Sequence, residues 1–292
     1  MSGTVAVVGV GNMGGAMAAH LLEQGWAVRV RDIDAAKMAA LARQGAVACA
    51  SASEAVQGCS AVIVCVVDAQ QSREVLFGER GAAGELKLGQ DVLLCPTISP
   101  GDVESIADEL LRSGVSTLDA PMSGGPARAR DGSMSLMVAC DDTAYERQRA
   151  LLEALSRNTF RVGTRPGDGA RTKLVNNLLA GINLAGAAEV MALAQRMGLN
   201  LGRTLDVIER SSGQSWIGSD RMRRAIAGDY APRAHVTLLA KDTRLAMEAA
   251  RDAGFEGSLG TVARDTFAKA LQEGLADLDD AALFKLFSRD VD

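Results

Sequence analysis

Short apolar runs alternate with helix-like stretches from the start of the chain to about residue 162, and the rhythm then changes. The runs Val5-Val8, Ala27-Val30, Ala61-Val66, Asp91-Leu94, Thr117-Asp119, Ser135-Ala139 and Thr159-Val162 are predicted strands. Strands separated by helical segments form a parallel sheet covered on both faces. Beyond Gly169 the period becomes helical: from about Ala170 to Met197 there is no proline, and the apolar residues Leu174, Leu178, Ile182, Ala185, Val190, Leu193 and Met197 recur at helical spacing. Helix signals continue to the end, broken near Gly213, between Gly228 and Pro232, and between Gly254 and Gly260. The expectation is an α/β fold: a doubly wound parallel sheet over residues 1–162, then an all-α domain over 163–292, with a long helix of about 170–197 between them. A chain of 292 residues exceeds the usual single-domain size, which agrees with two domains.

The first strand breaks into Gly9-Val-Gly11-Asn12-Met13-Gly14, and a helix-forming stretch follows at once. In this spacing Gly9 lets the chain turn tightly, Gly11 keeps side-chain atoms away from a pyrophosphate, and Gly14 lets the helix pack close to the strand. The helix N-terminus then offers unpaired N–H groups to phosphate. The second strand ends at Asp32, about 20 positions on, where a carboxylate accepts the hydroxyls of an adenosine ribose and repels a 2′-phosphate. NAD is therefore expected, and NADP less so. Two features leave that reading open: Asp32 also suits a turn with Asp34, and the neighbouring Arg31 suits a 2′-phosphate.

Composition narrows the partners. A formal charge of −5 without a basic run argues against nucleic acid. No uninterrupted apolar run approaches the length of a bilayer span, so no membrane is expected; the first strand starts by about residue 4, and a cytoplasmic location is the expectation. Five cysteines at 49, 59, 65, 95 and 140, with no C-x-x-C pair, suit reduced buried thiols, and two histidines supply neither a metal cluster nor an obvious acid/base pair.

Ligands of a doubly wound sheet gather beyond the carboxyl ends of its strands. Three polar segments are predicted there: Val66-Val67-Asp68, Pro96-Thr97-Ile98-Ser99-Pro100, whose prolines stiffen the turn around Thr97, and Asp119-Ala-Pro-Met-Ser123-Gly124-Gly125. The backbone N–H groups of Ser123, Gly124 and Gly125 suit either an anion-binding concavity for a carboxylate or a plain loop. In Gly167-Asp-Gly169-Ala-Arg-Thr-Lys173-Leu-Val-Asn176-Asn177, spacings of three and four bring two amides to the helical face of an amine. A lysine alone is ordinarily solvated; adjacent asparagines in an apolar helix need hydrogen-bond partners if buried.

Together these segments resemble the β-hydroxyacid dehydrogenase family, which includes 3-hydroxyisobutyrate dehydrogenase, tartronate semialdehyde reductase and L-threonate dehydrogenase. The resemblance runs nearly end to end, on the Gly9–Gly14 fingerprint, the Asp119–Gly125 loop, the Gly167–Asn177 segment and the pair Lys241-Asp242. It implies a Rossmann-type cofactor domain, a small hydroxy acid substrate, and a homodimer or homotetramer. It implies also that Lys173 is catalytic, that Asn177 helps hold the substrate and that Ser123, Gly124 and Gly125 bind its carboxylate. Gly9, Gly11, Asn12, Met13, Gly14, Asp32, Val66, Val67, Thr97 and Lys241 would serve the cofactor, and Ser215-Trp216 would wall the pocket. Two positions depart from the family pattern: Arg128 stands where glycine is common, the threonate branch being closer there, and Pro96 stands where serine is common. An imine reductase or a silent binding module on the same fold is the alternative, and Lys173 weighs against both.

Overall fold

The computed structural model describes residues 3–288. Its strands are β1 (Thr4–Val8), β2 (Ala27–Arg31), β3 (Val47–Ala48), β4 (Ala61–Val64), β5 (Asp91–Leu94), β6 (Ser116–Asp119), β7 (Met122–Ser123), β8 (Ser135–Ala139) and β9 (Asn158–Gly163). They form one sheet in the order β3-β2-β1-β4-β5-β6-β8-β7, with β9 beside β8. From β3 to β6 every pair is parallel, and the order reverses between β1 and β4, the switch point of a Rossmann-type fold.

The helices of this part are α1 (Asn12–Glu23), α2 (Ala35–Ala42), α3 (Ala52–Ala55), α4 (Ala69–Phe77), α5 (Pro100–Leu111), α6 (Gly125–Arg130) and α7 (Asp142–Leu155). The strand pleat sends alternate side chains to opposite faces, and each face has its own core. Val5, Val7, Ile63, Leu93 and Leu118 pack with Met17 and Leu21 of α1 and Leu151 and Leu155 of α7. Ala6, Val8, Val62, Val64, Val92 and Leu94 pack with Leu76 of α4 and Val103, Ile106 and Leu110 of α5.

The sheet is not wholly parallel, as the sequence pattern had implied: β6 and β7 each pair antiparallel with β8. The return from β6 to β8 carries only a two-residue strand and the six-residue α6, whereas the full-length α7 brings β9 back parallel to β8.

A long helix, α8 (Asp168–Arg196), follows, and the chain divides within it into two compact units, Met1–Lys173 and Leu174–Asp292. The division falls later than the expected point between residues 162 and 163 because the start of α8 is built into the sheet. Ala170 belongs to the second sheet core, and Asp119 at the end of β6 accepts hydrogen bonds from Gly167 and Ala170 N–H.

The second unit continues α8 with α9 (Leu201–Glu209), α10 (Trp216–Ile226), α11 (Val236–Asp252), α12 (Ser258–Gln272) and a 3-10 turn, Asp280–Leu286. Leu184, Ala188, Met191, Leu205, Met222, Val236, Phe267 and Leu283 form its core. Arg224 is buried with it against Asp279 at 2.8 Å, and the half-buried Arg221 lies against Asp280 at 2.5 Å. Each guanidinium lies beside a buried carboxylate, as burial of a charge demands.

Candidate active site

The three glycines after β1 have the distinct roles that their spacing implied. Gly9 has φ +90°, and a Cβ there would stand 2.5 Å from the Cys65 carbonyl oxygen at the end of β4. A Cβ on Gly14 would overlap the Gly9 carbonyl, while one on Gly11 would meet nothing within 4 Å. Gly14 is therefore required by helix packing, and Gly11 faces open space at the switch-point crevice. Gly11 is the N-cap of α1, and no side chain caps this helix and no acidic residue sits in its first turn. Its N–H groups and positive dipole end suit phosphate. Asn12, the first helical residue, is exposed, and Met13 is half-buried against the first sheet core.

Asp32 lies at the end of β2, half-buried, with one carboxylate oxygen accepting Val10 N–H at 2.6 Å and the other accepting Asp34 N–H at 2.9 Å. It thus pins the glycine turn and begins the turn into α2, which Asp34 caps. A carboxylate has about four lone-pair sites, so two accepted N–H groups leave capacity for a ribose diol. Arg31 turns its guanidinium onto the Asp32 carbonyl at 2.6 Å. These residues fit NAD: a turn open at Gly11, an uncapped helix start and an acidic strand end at one crevice.

Strand β4 ends at Val64, two residues before the predicted end, so Val66 and Val67 are in the following loop across the switch point from β1. Val66 packs against the second sheet core, Val67 is exposed, and Asp68 caps α4. Thr97 is half-buried in the loop after β5, where Ser99 caps α5 and Pro100 occupies its first turn.

Ser123 belongs to a short strand rather than to the free loop expected, since Met122 and Ser123 pair with Leu136 and Ser135 of β8. Gly124 and Gly125 then take φ values of +127° and +76°, and no atom lies within 4 Å of where a Cβ on Gly125 would stand. Arg128 is exposed on α6.

Four residues before Ser123, Asp119 is almost wholly buried. One of its oxygens accepts Gly167 N–H at 2.8 Å and Ala170 N–H at 2.9 Å. Burial raises its pKa to about 6, against the pull of hydrogen bonds from Ala170, Gly167 and Gly169. A Cβ on Gly169 would stand 2.8 Å from Asp119 Cγ, so the helix start rests directly on this carboxylate. One turn later comes Lys173, also buried at 7 % exposure.

Along α8, Asn177 is buried like Lys173, four residues before it, but Asn176 is exposed. The sequence spacing had placed both amides beside the amine; only the i, i+4 position keeps the buried face. Asn176 donates to the Asn177 side-chain oxygen at 3.0 Å, and Asn177 donates to Asp242 of α11 at 2.6 Å. The other Asp242 oxygen is 3.1 Å from Lys241 Nζ. Asp242 is thus the partner that a buried asparagine needed, and its adjacency to Lys241 was the one sequence signal for it. Ser215 is the N-cap of α10, accepting Gly218 N–H at 3.1 Å, and Trp216 is half-exposed under the Arg221 guanidinium.

Comparison with known proteins decides the family. Residues 4–163 match the NAD binding domain of 6-phosphogluconate dehydrogenase, and residues 167–287 match the NAD-binding domain of NADP-dependent 3-hydroxyisobutyrate dehydrogenase. L-Threonate dehydrogenase of Cupriavidus necator is 37% identical over 98% of this chain and 97% of its own. The chain belongs to the β-hydroxyacid dehydrogenase family. NAD-dependent L-serine dehydrogenase of Pseudomonas aeruginosa is 34% identical, covering 97% of this chain and 98% of the relative. The crystal structure of 3-hydroxyisobutyrate dehydrogenase from Salmonella typhimurium superposes with a TM-score of 0.92 at 36% identity, over 98% of this chain and all of that one. As a member of this family the chain is an NAD-dependent oxidoreductase of CH–OH groups in short hydroxy acids.

Proposed function

We propose that this β-hydroxyacid dehydrogenase oxidises a short acid of the L-threonate or 3-hydroxyisobutyrate kind, with Lys173 taking the hydroxyl proton as hydride leaves the carbinol carbon. NAD, when bound on the glycine turn, supplies the hydride acceptor. The observation that carries the reading is a lysine held out of water one turn beyond an anchored helix start, on the same helical face as Asn177. In oxidation the Lys173 amine accepts a proton and must be neutral at that moment; in reduction its ammonium returns the proton to the new alkoxide. Ser123, Gly124 and Gly125 bind the substrate carboxylate, and Asn177, oriented by Asp242, holds the substrate. Met13, Val66, Val67, Thr97 and Lys241 complete the cofactor contacts, and the working form is a homodimer or homotetramer.

The test is NADH absorbance with L-threonate, L-serine, 3-hydroxyisobutyrate and a cyclic amine as separate substrates. Turnover is expected with at least one hydroxy acid and not with the amine. Turnover of the amine alone would replace this reading with imine chemistry, and no turnover at all would favour a silent module.

Cofactor preference follows from Asp32. The native chain is expected to favour NAD over NADP in kcat/KM. Asp32→Asn keeps an acceptor for Val10 N–H while removing the charge that opposes a 2′-phosphate. That variant should narrow the preference about tenfold or more. Steady-state kinetics with both cofactors measures it, and an unchanged ratio would remove Asp32 from the discrimination.

A further inference from the structure

A cavity of about 530 Å³ opens within the first unit, between one flank of α5, the start of β6 and the loop that leads into α8. The glycine turn, the Ser123–Gly125 loop and Lys173 contribute nothing to it. Its size is that of a small-molecule site, and its lining is sorted by charge. Glu104 and Asp108, four residues apart and so on one face of the helix, stand on the α5 wall. Arg165 and Arg171 stand on the wall made by the loop and the first turn of α8. One rung between the walls is closed by the protein itself: Arg171 donates to Glu104 at 2.6 Å and lies 3.3 Å from Asp168. The other rung is open. Neither the Asp108 carboxylate nor the Arg165 guanidinium has a hydrogen bond or ion pair among the described residues. The third acid of the lining, Asp141, is engaged as the N-cap of α7, where it accepts Ala144 N–H.

Exposed charges are ordinarily stable in water, so an open pair alone would mean little. A buried group gives it meaning. Thr117 of β6 lines the same cavity at 5% exposure, and its hydroxyl has no hydrogen-bond partner among the described residues. Buried hydroxyls are almost always bonded, so one left over at a cavity wall points to a ligand that brings the partner. Ala107, Leu111 and Val115 add an apolar strip to the lining. The occupant therefore carries an anion and a cation close together, with an aliphatic group beside them. A phosphate ester fits less well, because carboxylates outnumber guanidiniums in the lining.

We propose that this groove binds a free α-amino acid with an aliphatic side chain. Its carboxylate bridges to Arg165 and accepts the Thr117 hydroxyl, its ammonium pairs with Asp108, and its side chain lies on Ala107, Leu111 and Val115. The closed rung ties this site to the start of α8. A Cβ on Gly167 would stand 2.7 Å from Glu104 Oε1 and 2.8 Å from Arg171 Nη1, so that ion pair is packed over the glycine whose N–H bonds Asp119. A zwitterion in the groove competes for the same charges and shifts the turn that carries Lys173. The site rests on the groove alone; its link to turnover rests on the proposed role of Lys173, and the two can fail separately.

Calorimetric titration of the full chain with L-leucine, which has no hydroxyl to oxidise, is expected to show saturable binding with Kd of about 1 mM or tighter. Two compounds with the same side chain, 4-methylpentanoate without the amine and 3-methylbutylamine without the carboxylate, should each bind about tenfold or more weakly, because each leaves one charge of the open rung unbridged. Arg165→Gln and Asp108→Asn should weaken leucine to a similar degree and leave the thermal midpoint unchanged, since neither side chain gives up a bond. Thr117→Val should weaken it about threefold while raising the midpoint, because it removes an unbonded buried hydroxyl. In the kinetic arm, saturating leucine should change the kcat of the native enzyme about twofold or more, and Arg165→Gln, with native kcat in the absence of leucine, should not respond. No saturable binding, equal binding of either half-compound, or affinity unchanged by both Arg165→Gln and Asp108→Asn would overturn the site. Binding that leaves kcat unaltered would overturn its link to Lys173.

Discussion

Lys173→Ala is expected to lower kcat by about 10²- to 10⁴-fold, the range for removal of a positioned acid/base group. Binding of NAD should be little altered, because the glycine turn, the uncapped start of α1 and Asp32 are built from other segments. The separation of these effects gives the experiment its force. Lysine's only task in the proposed chemistry is to move a proton at the carbinol oxygen, so its loss belongs to the reacting step and not to cofactor affinity. Fluorescence titration with NADH and steady-state kinetics read the two quantities separately. Lys173 is buried, so truncation also removes packing, and a thermal melt of the variant distinguishes an inactive folded enzyme from an unfolded one. Near-normal turnover by the folded variant would remove the lysine from the mechanism.

How much of this was legible in the sequence depends on the range of the interaction. The glycine turn was fully legible, because each glycine answers a steric demand made by residues a few positions away or by the strand beside it. So was the pleat of the sheet: continuous apolar runs such as Ala61-Val62-Ile63-Val64 announce burial on both faces, and the structure divides their side chains between two cores. Strands β3 and β7 were not legible. Each has two residues, too few for a period, and each exists only because a neighbouring strand offers hydrogen bonds. Asn176 and Asn177 looked equivalent until tertiary packing covered one and left the other in water. The partners of Asn177 and Asp119 lie far along the chain, and such pairings leave no local pattern.

Asp119 carries the second large effect, as a positioning residue for Lys173. It joins the end of β6 to the first turn of α8 through two N–H groups on one oxygen, with Gly169 packed against the carboxylate. Asp119→Asn leaves one oxygen able to accept those two bonds but turns the other from an acceptor into an N–H donor, beside a helix start whose Gly169 N–H also favours the native carboxylate. The helix start must shift, and Lys173 shifts with it. Turnover should fall about tenfold or more while KM for NAD changes little, since a small misplacement of an acid/base group costs rate before it costs affinity. The pH dependence of stability supplies a reading that simple loosening would not give. Because the folded chain holds the Asp119 proton up to about pH 6, against an ordinary value of 3.8, it binds more protons than the unfolded chain across that window. Asp119 therefore contributes stability that is fully present below about pH 4 and is lost as pH rises through 6, on the order of 3 kcal/mol at most. The native melting temperature should accordingly fall more steeply between pH 4 and 6 than that of Asp119→Asn, which has no proton to lose there. Parallel pH profiles for the two proteins would show that the carboxyl is not held protonated by its burial. An unchanged kcat in the variant would separate Asp119 from the placement of Lys173.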